Sequence, residues 1–509
     1  MKGISPSVIS VLVVNLAAAL LHPDVLRAAA LCDPWVARIV SLQGTVEVRR
    51  AGQTQWQPAR LNDTYCAGDR IQVGTRSRAD VAFINQPLIR LDQDSIITLG
   101  GVKEERTSLI ELLKGALYFF SRVPRNLEIM TAFVNAGVEG TEGLVRVDAD
   151  KTFISIFEGR VLAANQSGSL PLTGGQAAVA EQGKAPVLTI VVRPRDAVQW
   201  ALYYLPTLYF GPEQFSGGSA VEQALRNSVD AYRRGDLQAA FDSIKGVPDS
   251  VGDPRFFTYR ASLLLSVGRA DEAAQDIARA LSLKPMDSDA LALQAIIAVV
   301  QNEKEKALDI ARKAVEAAPK SASALIALSY TQQANFDLEG ALESLKQATQ
   351  VEPANALAWA RLAELWMSFA ELDEALEAAK KAIALNPSLS RTQTVLGFAY
   401  LLQVNTKEAK AAFEKAIEFD QGDYLPRLGL GLAKIREGDL QEGTKEIEIA
   451  ASLDPNNSLV RSYLGKAYYE EKRIPRRPTR VCHRQGAGSE GSHPLVLRCD
   501  CETNHEPSG

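Results

Sequence analysis

Four histidines stand in this 509-residue chain, His22, His483, His493 and His505, and none lies between residues 23 and 482. That spacing removes whole reaction classes from the body of the chain. A Ser-His-Asp triad, a Cys-His pair or a histidine-ligated zinc or iron centre needs an imidazole at the reacting group. Thiols are equally sparse: Cys32 and Cys66 stand alone ahead of a tail carrying Cys482, Cys499 and Cys501. Carboxylate or lysine chemistry is what remains. Asp69, Glu139, Glu142 and Glu158 are the acidic candidates, each beside a turn or strand end, where structural carboxylates are common. No paired-carboxylate arrangement of the kind used in glycan hydrolysis is recognisable. Asp148 and Asp150 lack the further oxygen ligands of a calcium site and read as a hairpin turn. The stretch 438–445 departs from the phosphate-loop pattern by one residue and sits at an inter-helix turn. The chain is therefore expected to be non-enzymatic, with no cofactor and no metal.

The elements behind these residues begin with a leader. Lys2, the apolar run Val8–Leu21 and Ala28-Ala29-Ala30 read as a signal peptide over residues 1–30, its apolar core too short to span a bilayer comfortably. Export to an oxidising compartment makes Cys32 and Cys66 a natural disulfide pair, with two buried thiols as the alternative. The balance of 56 basic against 61 acidic residues, a net charge of −5, argues against a nucleic-acid partner.

Residues 36–192 alternate short β-branched runs with turn residues, as in 45–48, 79–84 and 152–157. Period-two patterning of this kind predicts an all-β module, an antiparallel sandwich or β-solenoid. A series of motifs runs through it: Gly44-Thr45-Val46, Ala67-Gly68-Asp69-Arg70-Ile71, Gly74-Thr75-Arg76-Ser77, Leu112 to Leu117, Val138 to Glu142, Ile156 to Val161 and Gly174-Gly175-Gln176. In order and spacing these resemble the FecR domain. The resemblance implies a ligand- or partner-binding module. The family's regulator places a cytoplasmic segment and a membrane helix ahead of this domain; residues 1–35 do not resemble such a segment, so sigma-factor signalling is not expected.

Residues 193–219, aromatic around Trp200 to Tyr204 and then rich in Gly, Ser and Pro, read as a docking linker. Beyond 220 the pattern turns helical. Prolines recur at 285, 319, 353, 387 and 455, with Gln421 in the one gap, a period of 34 residues. That period, with large, small and terminating residues at matching slots, reads as tetratricopeptide repeats (TPR) over 220–473: about seven units, the first degenerate and the last truncated. Such an array binds peptides or protein partners in the concave groove lined by its first helices. Tyr330, Glu364, Met367, Phe398, Leu401, Leu432 and Lys466 are the residues expected to face it, with packing against the next repeat as the alternative for each.

Residues 474–509 break the pattern. Read one nucleotide later, the coding sequence of Arg484–Asp500 permits a proline at codon 489, 34 after Pro455. The tail is therefore expected to be frameshifted rather than a metal site. The fold class read from the sequence is multidomain: an N-terminal all-β FecR-like module followed by an all-α TPR solenoid. The function expected is a periplasmic or envelope scaffold that binds protein partners through the TPR groove. A FecR-type signal relay is the alternative, and a carboxylate glycan-processing enzyme a remote one.

Overall fold

The computed structural model describes residues 34–103, 107–121, 124–189 and 200–471. The leader, Cys32 and the tail from 474 lie outside them. Up to residue 189 the described regular elements are all strands: β1 (Ala37–Gln43), β2 (Val46–Arg49), β3 (Gln57–Pro58), β4 (Thr64–Tyr65), β5 (Arg70–Val73), β6 (Arg78–Phe83), β7 (Leu88–Leu91), β8 (Ile96–Lys103), β9 (Thr107–Phe120), β10 (Pro124–Met130), β11 (Asn135–Val147), β12 (Lys151–Asn165), β13 (Gly168–Thr173), β14 (Ala177–Glu181) and β15 (Val187–Thr189).

The module closes because its longest strands change partners midway. β11 pairs with β10 through its first half and with β9 through its second. In the same way β12 gives its first half to β14 and its second to β13. Register slips around Glu142 supply the bend, as bulges do when one strand must serve two layers. Every pairing is antiparallel except β9–β10. Inside, alternate residues of both layers form one apolar core, among them Ile39, Val81, Ile97, Leu117, Phe119 and Ile154. Asp148 to Lys151 is the tight turn of the β11–β12 hairpin, closed by the Asp148 N–H donating to the Lys151 carbonyl at 2.9 Å.

Helices take over at residue 220: α1 (Ala220–Arg233), α2 (Leu237–Ile244), α3 (Pro254–Ser266), α4 (Ala270–Leu283), α5 (Ser288–Val300), α6 (Lys304–Ala317), α7 (Ala322–Ala334), α8 (Leu338–Val351), α9 (Ala356–Ser368), α10 (Leu372–Leu385), α11 (Ser390–Leu402), α12 (Thr406–Phe419), α13 (Tyr424–Arg436), α14 (Leu440–Leu453) and α15 (Ser458–Glu470). They stack as antiparallel pairs into a solenoid. The 34-residue period carries its own punctuation. Asp253, Asp287, Ser321, Asn355, Asp423 and Asn457 cap the first helices, each accepting a backbone N–H on its side chain. Leu389 is the exception and caps nothing. Between the helices of each pair one residue adopts positive φ: Gly268, Asn302, Phe336, Ala370, Val404 and Gly438, again 34 apart. No helix among the described residues is long and apolar enough to cross a membrane.

Candidate partner-binding groove

The groove faces the chain's own linker. Leu202, Tyr204, Leu208 and Phe210 pack into the core of the first repeats, and Leu205 and Tyr209 against that of the middle ones. The segment thus lies along the first helices, where an extended peptide would be held. Spacing explains the fit: the even-numbered Leu202, Tyr204, Leu208 and Phe210 meet the first repeats, and the odd-numbered Leu205 and Tyr209 the middle ones.

The β-module then bridges the array from one end to the other. At the early repeats Arg78, fully buried, donates to the Trp200 carbonyl at 3.0 Å, to that of Leu202 at 3.1 Å and to that of Ser266, the C-terminus of α3, at 3.2 Å. Its Nε also donates to the Gln43 side chain. Burial, and then the charge of Arg90, pull its pKa down to about 9. Gly268 is required beside this contact: a Cβ there would overlap the Trp200 carbonyl oxygen. Thr45 donates to Gln238 at 2.8 Å, and Arg269 pairs with Asp92 at 3.3 Å.

At the late repeats the junction is a shared apolar core. Val40, Leu88, Tyr118, Phe120 and Leu144 of the sheet meet Ala201 and Tyr203 of the linker and Tyr424, Leu428, Ile449, Leu453, Leu464 and Tyr468 of α13–α15. Arg90 reaches the carbonyls of Ser452 and Leu453 at the C-terminus of α14, where the helix dipole favours a cation. Arg427 donates to the Val40 carbonyl at 2.8 Å, and Arg461 pairs with Glu142 at 2.7 Å. Gln43 donates to Asp420 at 3.0 Å, and the Leu42 N–H to Gln421 at 3.0 Å.

The seven residues expected in the groove separate by depth. Tyr330 on α7 and Glu364 on α9 join one buried network: Arg361 and Arg391 both pair with Glu364, at 2.8 and 2.6 Å, and Arg391 also reaches the Tyr330 hydroxyl at 3.3 Å. Arg361 lies over the Tyr330 ring at 3.9 Å. Burial alone would lower the pKa of Arg391, but Glu364, with Tyr330 and Asp423, raises it, so its charge is held. Burial pushes the Asp423 carboxyl up to about 7, against the pull of Arg391. Met367 packs, half-buried, on the core of the middle repeats. Phe398, Leu401 and Leu432 pack between helices, Phe398 edge-on to Phe413 at 4.9 Å. Lys466 is exposed on α15.

Two acidic candidates are structural. Asp69 accepts from Arg50, from the Ala51 N–H and from the Cys66 N–H, all within 2.9 Å, and Glu142 holds Arg461. Cys66 is disulfide-bonded; Cys32, its expected partner, lies outside the described residues. Sequence reasoning missed Gln43, Arg78, Arg90, Arg391 and Asp420. A signal for this face was nevertheless present. Gln421 and Leu389 both break the 34-residue pattern, and both stand where the array meets the β-module or the linker.

The FecR protein family matches residues 69–162, and tetratricopeptide repeat families match 260–322, 333–397 and 390–423. Both are protein-interaction or signalling modules. No curated protein matches the sequence. Among solved structures, the chain is similar to a thermophilic TPR protein of Thermus thermophilus, at 25% identity, TM-score 0.32, covering 36% of this chain and 99% of that one. It is also similar to a tetratricopeptide repeat protein of Parabacteroides merdae, at 18% identity, TM-score 0.34, covering 49% and 99%. A third, YrrB, described as a TPR protein with an unusual peptide-binding site, is 17% identical, with TM-score 0.26, covering 38% and 97%.

Proposed function

We infer that this chain, in which a FecR domain is joined to tetratricopeptide repeats, is a non-enzymatic binding protein exported to the bacterial envelope, its β-module and array acting as one scaffold for a protein partner. The observation that carries the reading is the junction itself. Modules joined only by a tether move independently, whereas a large apolar interface with buried polar contacts fixes their geometry. Arg78, Arg90, Arg427 and Arg461 each commit a buried guanidinium to that interface, at both ends of the array. What is presented to a partner is then a composite surface. The leader read over residues 1–30 supports the envelope address.

A relay reading has one observation in its favour. The linker lies where a partner peptide would lie, so a partner competing for the first helices would loosen the β-module as it bound. Both readings face one experiment. A photo-crosslinking residue is placed singly at the exposed positions Phe336, Lys466 and Tyr469 in the producing cell, and adducts are identified by mass alongside cell fractionation. A discrete envelope-protein adduct from at least one position, on a chain starting near Leu31, is the expected result. A full-length cytoplasmic chain with no adduct at any position overturns the scaffold reading. An adduct whose formation raises protease cleavage of the linker favours the relay.

A further inference from the structure

We propose that the cavity between the linker and the repeats is a binding site for a small aromatic monocarboxylate. Its volume is about 140 Å³, and its walls are the linker from Tyr203 to Phe210 on one side and parts of α1, α3 and α11 on the other. A cavity of roughly 150 Å³ lined by aliphatic and aromatic side chains accepts a benzene-sized body. Val229, Leu265, Leu293, Leu357 and Leu389 supply such a lining here.

The polar part of the wall selects the rest of the ligand. Arg391 Nε and Nη1, the Tyr204 hydroxyl and the Thr207 hydroxyl are buried without hydrogen-bond partners among the described residues, and all three side chains line the cavity. Each can donate, and a guanidinium can only donate. Their complement is therefore an acceptor. Charge narrows the choice further. The side chain of Arg391 is 5% exposed, and it shares the single carboxylate of Glu364 with Arg361. Two guanidinium groups thus share the Glu364 carboxylate, with Asp423 as a further carboxylate acting on Arg391. Asp423 is half-neutralised by its own burial near pH 7. Among the charged residues of the wall itself, Arg233 and Arg391 face the one carboxylate of Asp420. That carboxylate already accepts from Gln43, from the Gly422 N–H and from the Tyr203 hydroxyl.

Arg391 keeps its Glu364 partner, but its Nε and Nη1 donors are unmet, and a buried unmet donor is costly. An entering carboxylate supplies the missing acceptors through charge-assisted hydrogen bonds. Exposed Arg233 and Ser388 stand at the rim, where the arginine draws an anion inward.

The site makes no use of the array's protein partner, so it stands or falls apart from the scaffold reading. The test is calorimetric titration of the full chain with benzoate, using benzyl alcohol as the neutral counterpart of equal size. Saturable binding of benzoate is expected, at least about tenfold tighter than benzyl alcohol, a ratio that one charge-assisted hydrogen bond supplies. Arg391→Gln should lower benzoate affinity by about the same factor. Because that change also breaks the Glu364 pair, a second variant is needed. Leu389→Trp fills the cavity from its half-buried edge and should abolish binding with an unchanged circular-dichroism spectrum. Absence of saturable binding at millimolar benzoate, which leaves water as the occupant, overturns the site. So does equal affinity for the alcohol, or binding that survives Leu389→Trp.

Discussion

The backbone N–H of Leu42, in the first strand of the sheet, donates to Oε1 of Gln421 at 3.0 Å across 379 residues of sequence. Gln421 occupies the one place in the series where the 34-residue period lacks its proline. The irregularity of the repeat is thus the point at which the repeat touches something else. Proline there would keep the helix-pair geometry but offer no acceptor to the strand.

Gln421→Pro is accordingly expected to destabilise the protein. Restoring a repeat consensus ordinarily adds about 0.5–2 kcal/mol. Here the half-buried Leu42 N–H would be left without a partner, at a cost of about 1–3 kcal/mol. Chemical denaturation gives the sign, and a gain in stability would show that the contact carries no weight.

Arg461 and Glu142, 2.7 Å apart, join α15 to the sheet, and Glu142 is only 1% exposed. Removing one partner strands a buried charge. Glu142→Leu and Arg461→Met should each cost about 3–5 kcal/mol, while the double variant recovers much of the loss. A double-mutant cycle showing simple additivity would contradict this.

Phe336 and Val404 hold φ of 66° and 67° at the slot that Gly268 and Gly438 fill with glycine. Phe336 is 77% exposed and Val404 58% exposed, so little burial is lost on their removal. The left-handed region costs a non-glycine residue about 1–2 kcal/mol, partly offset by the greater freedom of glycine in the unfolded chain. Val404→Gly and Phe336→Gly should each raise the denaturation midpoint by the equivalent of about 0.5–1 kcal/mol. Gly268→Val should do the opposite, since its Cβ would displace the Trp200 carbonyl.

Burial raises the carboxyl of Asp423 to about 7 and those of Asp92 and Asp454 to about 6. Each binds its proton more tightly folded than unfolded, where an aspartate titrates near 4. Their contribution is therefore fully present below about pH 4 and is lost as pH rises through 6 and 7. Between pH 5 and 8 these three groups should make stability fall with rising pH, by up to about 1.4 kcal/mol per unit for each group still titrating. Asp423→Asn keeps the capping oxygen and should flatten the slope near pH 7. An unchanged slope in that variant would assign the effect elsewhere.

Reduction of the disulfide at Cys66 should lower stability by about 2–4 kcal/mol. Peptide mapping of the unreduced protein is expected to return Cys66 joined to Cys32. A map joining Cys66 to Cys482, Cys499 or Cys501 would displace that pairing and make the tail part of the folded protein.

Local pattern by itself determined much of this protein. Alternation of period two gave the all-β module, and the 34-residue recurrence of prolines, small residues and caps gave the helical array, because each is a property of neighbours along the chain or of one repeat against the next. The absence of histidine over 23–482 leaves no imidazole in the body of the chain. Tertiary structure alone decided what the two modules do to each other. The groove expected to await a partner is lined by the chain's own linker, and Glu364 and Tyr330 are tied to Arg361 and Arg391 rather than open. Nothing in the residues around Arg78 and Arg90 marks either for burial, yet both are fully buried. The reason is physical. A contact between residue 42 and residue 421 leaves no periodic trace, since nothing local constrains either side chain. It shows only as a departure from the period, a glutamine in place of a proline, whose meaning emerges when the opposing surface is in view.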